Sequence, residues 1–244
     1  MTTEPHSLSV SGLRVAVVRK AIRNLHLGVY PPDGRVRVAV PLAVSDAAVR
    51  VAVIGRLRWI RRQQAAFAAQ PREPERDMVS GESHYFLGRR YLLEVSETGD
   101  RGAVGVNVKN RRVLEMRVRP GTDAPRRAAL LQRWYREQLR ELVPALITKW
   151  EKRLGVSLAE WGIKRMKTKW GSCNAKARRI WLNLELAKKP LGCIEYIVVH
   201  ELAHLKAKKH DDRFVKLMDE GLPQWRHTRK LLNAAPLASE TWRG

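Results

Sequence analysis

Cysteine is nearly absent: Cys173 and Cys193 are the only two in 244 residues, too far apart to form a C-x-x-C pair. That excludes a four-cysteine zinc ribbon and makes two free thiols in a cytoplasmic protein a simpler account than a disulfide. Long apolar runs are missing as well. None reaches the roughly 18 residues a membrane span requires, so no membrane association is expected. Residues Met1 to Pro5 bring neither a basic segment nor an apolar stretch, so no secretory signal is expected there. No G-x-x-x-x-G-K-S/T loop occurs, which leaves nucleotide binding without a motif of its own. Internal repeats and low-complexity segments are lacking too. Acidic residues are the last shortage: 24 Asp and Glu stand against 47 Lys and Arg, a net charge of +23.

Such a charge creates a positive field that attracts anions, nucleic acid first among them. It is spread widely, in pairs such as Arg61-Arg62, Arg111-Arg112, Arg126-Arg127 and Lys208-Lys209, with no aromatic-interleaved nucleic-acid motif. A solvated basic surface and a dedicated binding face therefore both stay open. With 44% hydrophobic and 29% charged residues the chain reads as soluble and globular, long enough for one large domain or two small ones.

The expected class is α+β. Residues 13–18 and 35–40 are rich in valine, and the second alternates as a half-buried strand does. A strand over 24–30 closes in a turn at Pro31-Pro32-Asp33-Gly34. Ser45 can cap a helix running to about Gln70, before Pro71. A hairpin around Gly88 joins 81–87 to 90–95, and strands follow at 103–108 and 112–118. Residues 1–120 thus form a mainly antiparallel β region with one helix. Residues 121–244 are expected to be a helix-rich domain with a small sheet, the two parts being open to forming one continuous unit. Thr122 or Asp123 caps its long first helix, Pro144 should kink or break it, and Gly155 ends it. Strands at about 163–169 and 179–184 make the sheet, Pro190 opens a strongly apolar helix, and helices follow near 212–220 and 224–233.

That apolar helix carries His200-Glu201-Leu202-Ala203-His204, with His210 downstream. Positions i and i+4 stand one above the other on a helix, so His200 and His204 present their imidazoles to a common point. A helix apolar almost all round belongs inside a domain. Two histidines and a glutamate there need partners, which a metal ion supplies at once. Three neutral imidazoles and a water make the open tetrahedral site of catalytic zinc. Glu201, left unligated, is then the general base that takes the water's proton and passes it to the leaving amine. The expected complement is one zinc per chain, held by His200, His204 and His210.

Other residues carry weaker signals. Tyr196 lies one turn before His200, and Asp212 stands where it could orient an imidazole. Arg213, Arg226 and His227 are open as oxyanion stabilisers, which the chemistry requires. His6, His26 and His84 have no ligand spacing. Cys173 and Cys193 read as buried spectators sooner than as thiolate ligands.

The spacing of the three histidines matches the H-E-x-x-H-x-x-G-x-x-H pattern of the metzincins, except that Ala207 stands at the turn glycine. More of the chain resembles the SprT-like and YgjP-like zinc metallopeptidases. The matching residues are Trp170-Gly171-Ser172-Cys173, Ile180-Trp181-Leu182-Asn183, Glu195 through Leu205, and His210-Asp211 with Phe214. The valine-rich N-terminal strands and Gly81 through Gly88 extend the likeness over about residues 12–235. The resemblance implies a minimal zincin core, a polypeptide substrate, and proteins associated with nucleic acid as one substrate group. It also implies substrate contacts at Trp170, Gly171, Ser172, Trp181 and Asn183, with the strand 179–184 offering an edge to extended peptide. Two other readings of the motif stay open. One is a nucleotide pyrophosphatase using the same site; the other is a basic nucleic-acid-binding module with structural zinc, although closed structural sites take four protein ligands.

Overall fold

Alternating valines build the first sheet. The computed structural model describes residues 5–30, 34–69, 76–99, 102–166 and 169–234, and divides into two compact units, Met1–Pro74 and Glu75–Leu237. In the first, β1 (His6–Val10), β2 (Leu13–Lys20), β3 (His26–Tyr30) and β4 (Arg35–Pro41) form a sheet of order β1-β2-β4-β3. Val15, Val17, Val36, Val38 and Val40 point to one face and are buried with Val49, Val53 and Ile60, as a period of two dictates. The segment expected as one helix is two, α1 (Asp46–Ile54) and α2 (Leu57–Ala69). Ser45 caps α1 as anticipated, but Gly55 ends it, its N–H reaching back to the Val51 and Val53 carbonyls. Glycine is a poor helix residue and gives the chain its break. The expected turn at residues 31–33 and the helix end at Gln70 lie outside the described residues.

The second unit opens with β5 (Ser83–Phe86), β6 (Arg89–Glu97), β7 (Gly105–Lys109) and β8 (Val113–Val118), in the order β5-β6-β8-β7. Both four-stranded sheets join two antiparallel hairpins through one parallel central pair, β2 with β4 and β6 with β8. Each is followed by a helix capped by Ser45 or Asp123. The strand order therefore repeats where the sequence shows no repeat.

Helix α3 (Ala124–Leu154) runs unbroken through Pro144. Losing one backbone hydrogen bond and straining the preceding turn costs about 3 kcal/mol. Leu131, Trp134, Tyr135, Leu139, Val143, Ile147, Trp150 and Leu154 are all buried along one face, and at about 1.5–3 kcal/mol for each large side chain their burial outweighs that cost. Gly155 closes the helix in the left-handed conformation, at φ 60°, as expected. The small sheet comprises β9 (Glu160–Lys164), β10 (Gly171–Asn174) and β11 (Arg179–Asn183) in the order β10-β11-β9. Strand β9 lies earlier than the 163–169 expected, of which residues 167–168 are outside the described set. After a 3-10 turn at Leu184–Lys188 come α4 (Leu191–Ala203), α5 (Asp212–Gly221) and α6 (Trp225–Ala234). Among the described residues no helix is long and apolar enough to cross a membrane.

Candidate metal centre and its cleft

Helix α4 is buried along nearly its whole length, and Ile194, Val198, Val199 and Leu202 have no exposed surface. It is tied to α3 through Glu195, whose carboxylate accepts from Lys149 Nζ at 2.7 Å and Trp150 Nε1 at 2.8 Å. His200 sits in the last turn and His204 is the C-cap residue. The chain then turns through Ala207, which is 4% exposed. None of the described non-glycine residues with positive φ lies in this turn, so Ala207 fits where a left-handed turn would demand glycine. Asp211 caps α5 by accepting from the Phe214 N–H at 3.1 Å, which fixes the entry to α5 directly after His210.

The three imidazoles converge. Candidate ligand atoms of His200, His204 and His210 all lie within 4.8 Å of one another. Nε2 of His200 is 3.1 Å from Nε2 of His210. Nδ1 of His204 stands 3.0 Å from the Ala207 carbonyl; donating there fixes its proton and leaves Nε2 as the free lone pair. Phe214, 2% exposed, packs against all three rings at centroid distances of 4.9, 4.9 and 4.6 Å. Burial and the neighbouring histidines push the His200 imidazole down to about 3, so it stays neutral. His200 Nδ1 is buried with no hydrogen-bond partner. A set of converging imidazole nitrogens on an apolar floor fits a divalent cation of intermediate softness.

Glu201 is 5% exposed and lines the same cavity of about 800 Å³ as the histidines. Burial pushes its carboxyl up to about 7, with Lys169 pulling the other way. Strand β10 passes directly over it. A Cβ added at Gly171 would lie 2.6 Å from Glu201 Oε1, 2.8 Å from its Cγ and 2.9 Å from its Cδ. The glycine is what admits the backbone to within contact of the carboxylate.

A profile of the YgjP-like, metallopeptidase domain family matches residues 23–235. The chain belongs to the YgjP-like metallopeptidase family. It is accordingly a hydrolase of peptide bonds that works with a metal cofactor. Solved structures similar to this YgjP-like chain include the metallopeptidase zymogens abylysin of Pyrococcus abyssi and jannalysin of Methanocaldococcus jannaschii. The first is 23% identical with a TM-score of 0.35, covering 37% of this chain and 90% of that one. The second is 22% identical with a TM-score of 0.34, covering 37% and 92%. No curated protein matches the chain significantly.

In this YgjP-like chain Trp170, Gly171 and Ser172 line the cavity, whereas Trp181 and Asn183 are not among its lining residues. Trp181 covers Gly162, where a Cβ would meet its ring at 2.3 Å, and carries Lys164 and Arg179 over its face. Asn183 has no exposed surface; its Nδ2 donates to the Met166 and Lys169 carbonyls at 2.9 and 2.8 Å. It anchors the backbone that leads into β10. Residues 179–183 form the central strand, paired antiparallel to β10 and parallel to β9, so they have no free edge. The edge beside the cavity is β10. Of the oxyanion candidates, Arg226 is ion-paired with Asp219, while Arg213 and His227 are exposed and do not line the cavity. Arg229 does, one helical turn further along α6 than sequence spacing could place it. Tyr196 is buried, stacked on Trp225 at 6.3 Å and edge-on to His200 at 5.8 Å. Asp212 is exposed in the first turn of α5. Neither thiol joins the histidine cluster. Cys193 is buried, and Cys173 lines the cavity with its thiol pushed up to about 11 by burial and by Glu201.

Proposed function

We propose that this metallopeptidase is zinc-dependent, that residues 121–244 carry its catalytic domain, and that His200, His204 and His210 hold one zinc ion per chain. The convergence of three imidazoles within 4.8 Å in a cavity shared with Glu201 is the observation that carries this reading. Three protein ligands are the complement of a catalytic rather than a structural zinc site. When bound, the ion supplies Lewis acidity, polarising the scissile carbonyl and acidifying a water molecule.

The chain's own residues do the rest. A Glu201 carboxylate oxygen takes the proton of the attacking water and delivers it to the departing nitrogen. Its burial favours this role, because a carboxyl desolvated to about 7 both accepts and releases a proton near neutral pH. Phe214 and Tyr196 keep the inner wall apolar, which strengthens electrostatic interactions at the reacting bond. The free edge of β10 receives the substrate backbone in extended form, and Trp170 and Ser172 line its path. Arg229 is the cation placed to stabilise negative charge on the carbonyl oxygen.

Metal analysis of purified protein alongside peptidase assays tests this reading. Glu201→Gln should retain about one zinc per chain and lose turnover, whereas His204→Ala should lose the metal. Full zinc occupancy in His204→Ala, or undiminished hydrolysis by Glu201→Gln, would overturn it. Hydrolysis of nucleotides but not peptides would replace the substrate assignment.

A further inference from the structure

Four basic side chains line the cavity: Lys169, Lys176, Lys208 and Arg229. All four are exposed, and none forms an ion pair among the described residues. Glu201 is the one acidic residue among those lining it, and it is buried beneath β10. The cations do not share one wall. Lys169 precedes β10 and Lys176 follows it, so they stand at the two ends of the substrate-facing edge. Lys208 belongs to the turn that delivers His210, and Arg229 projects from α6.

Elsewhere the surface mixes signs, as in Lys109 with Glu94 and Glu115, or Arg179 with Glu160. Among the residues lining the cavity the exposed charges are all positive, and the exposed acids nearest in sequence, Asp211 and Asp212, are outside that lining. An extended peptide alternates its side chains to either side, so residues flanking the scissile bond must lie among these cations. Acidic side chains there gain attraction, while basic ones meet unrelieved repulsion.

We infer that the cleft selects acidic polypeptide segments, with Asp or Glu on both sides of the cleaved bond. The inference rests on the peptidase reading above and adds the substrate class to it. An exposed charge pair shifts an equilibrium by up to about fivefold. Several acting together should separate acidic from basic peptides by at least about tenfold, more at low salt than at high.

The test uses zinc-loaded full-length protein and three peptides that differ only at the positions flanking the cleavable bond, which carry Glu, Gln or Lys. Values of kcat/KM are measured at low and high salt. Binding of the same peptides to the Glu201→Gln protein is followed by fluorescence anisotropy. A Lys176→Glu/Lys208→Glu double variant, its folding checked by thermal melt and its metal content measured, is run in parallel. The expected result is the order Glu over Gln over Lys, compressed by salt, and lost or inverted in the double variant. Equal turnover of all three peptides, or an order unchanged by the double variant, would overturn the acidic preference and leave the peptidase reading intact. Absence of turnover for every peptide would count against the peptidase reading, while anisotropy would still decide the preferred charge. Single-stranded DNA that binds more tightly than the Glu peptide, and is released by the charge reversals, would assign the cleft to nucleic acid and overturn the inference.

Discussion

Gly171 shows how a residue with no side chain can govern a buried carboxylate. The 2.6 Å contact that any Cβ would make with Glu201 Oε1 leaves two outcomes for Gly171→Ala: β10 withdraws, or the carboxylate swings aside. On the proposed mechanism both move the proton acceptor relative to the substrate edge, and a misplacement of about 1 Å costs on the order of a hundredfold in rate. The variant should therefore lose about that factor in kcat while keeping its metal. A kcat within twofold of the parent, measured with metal content unchanged, would show that the contact is dispensable. His204 makes a parallel case for backbone control, since its free lone pair depends on the Ala207 carbonyl. Ala207 can serve there because the turn never enters the left-handed region.

At the scale of elements, α4 owes its position to α3. Trp150 is 1% exposed and donates to Glu195 from within the core, whereas Lys149 reaches the same carboxylate from the surface. A buried hydrogen bond to a charged group contributes about 1.5–3 kcal/mol, and an exposed ion pair about 0–1 kcal/mol. Trp150→Phe, which keeps most of the apolar bulk, should lower the melting temperature more than Lys149→Ala. The reverse order in thermal melts would show that α4 is held by packing alone. These helices were largely legible from sequence. Asp123, Gly155, Pro190 and Asp211 mark their boundaries by chemistry that acts within a few residues, and the 3.6-residue period sets His200 above His204. What escaped sequence reading depends on contacts between distant segments. Strand β11 becomes central only because β9 joins it in parallel from across the 165–178 stretch, which leaves β10 as the strand beside the cavity. Arg229, not Arg226, lines the cavity, where the packing of α6 against α4 sets it, while Arg226 pairs with Asp219. No local pattern reports either event.

For the whole molecule, acid is the condition that should expose its weaknesses. His84 is 3% exposed, and burial, reinforced by Arg76, pushes its imidazole down to about 4. Glu82 lies 3.3 Å away and opposes that shift without reversing it, so the pair is a neutral imidazole beside a carboxylate. A histidine that is neutral when folded, but titrates near 6.5 when unfolded, leaves stability intact above that pH. It withdraws stability as pH falls from about 6.5 towards about 4. Protonation of carboxylates adds to an already large positive charge and acts in the same direction. Thermal melts across this range should show unit 75–237 weakening, with a shallower decline in His84→Gln. Identical pH profiles would remove His84 from the account and leave self-repulsion as the cause.

The bare edge of β10 has a second consequence, one of colloidal behaviour. An unpaired strand edge is an adhesive surface, ready to add a strand from any neighbouring chain, including another copy of the same protein. Here the strand is four residues long, Gly171–Asn174, with Lys169 before it and Lys176 after it. A short edge closed at both ends by like charges repels its own duplicate while staying open to a chain of opposite sign. The lysines proposed to admit an acidic substrate would thus also keep the protein from sticking to itself.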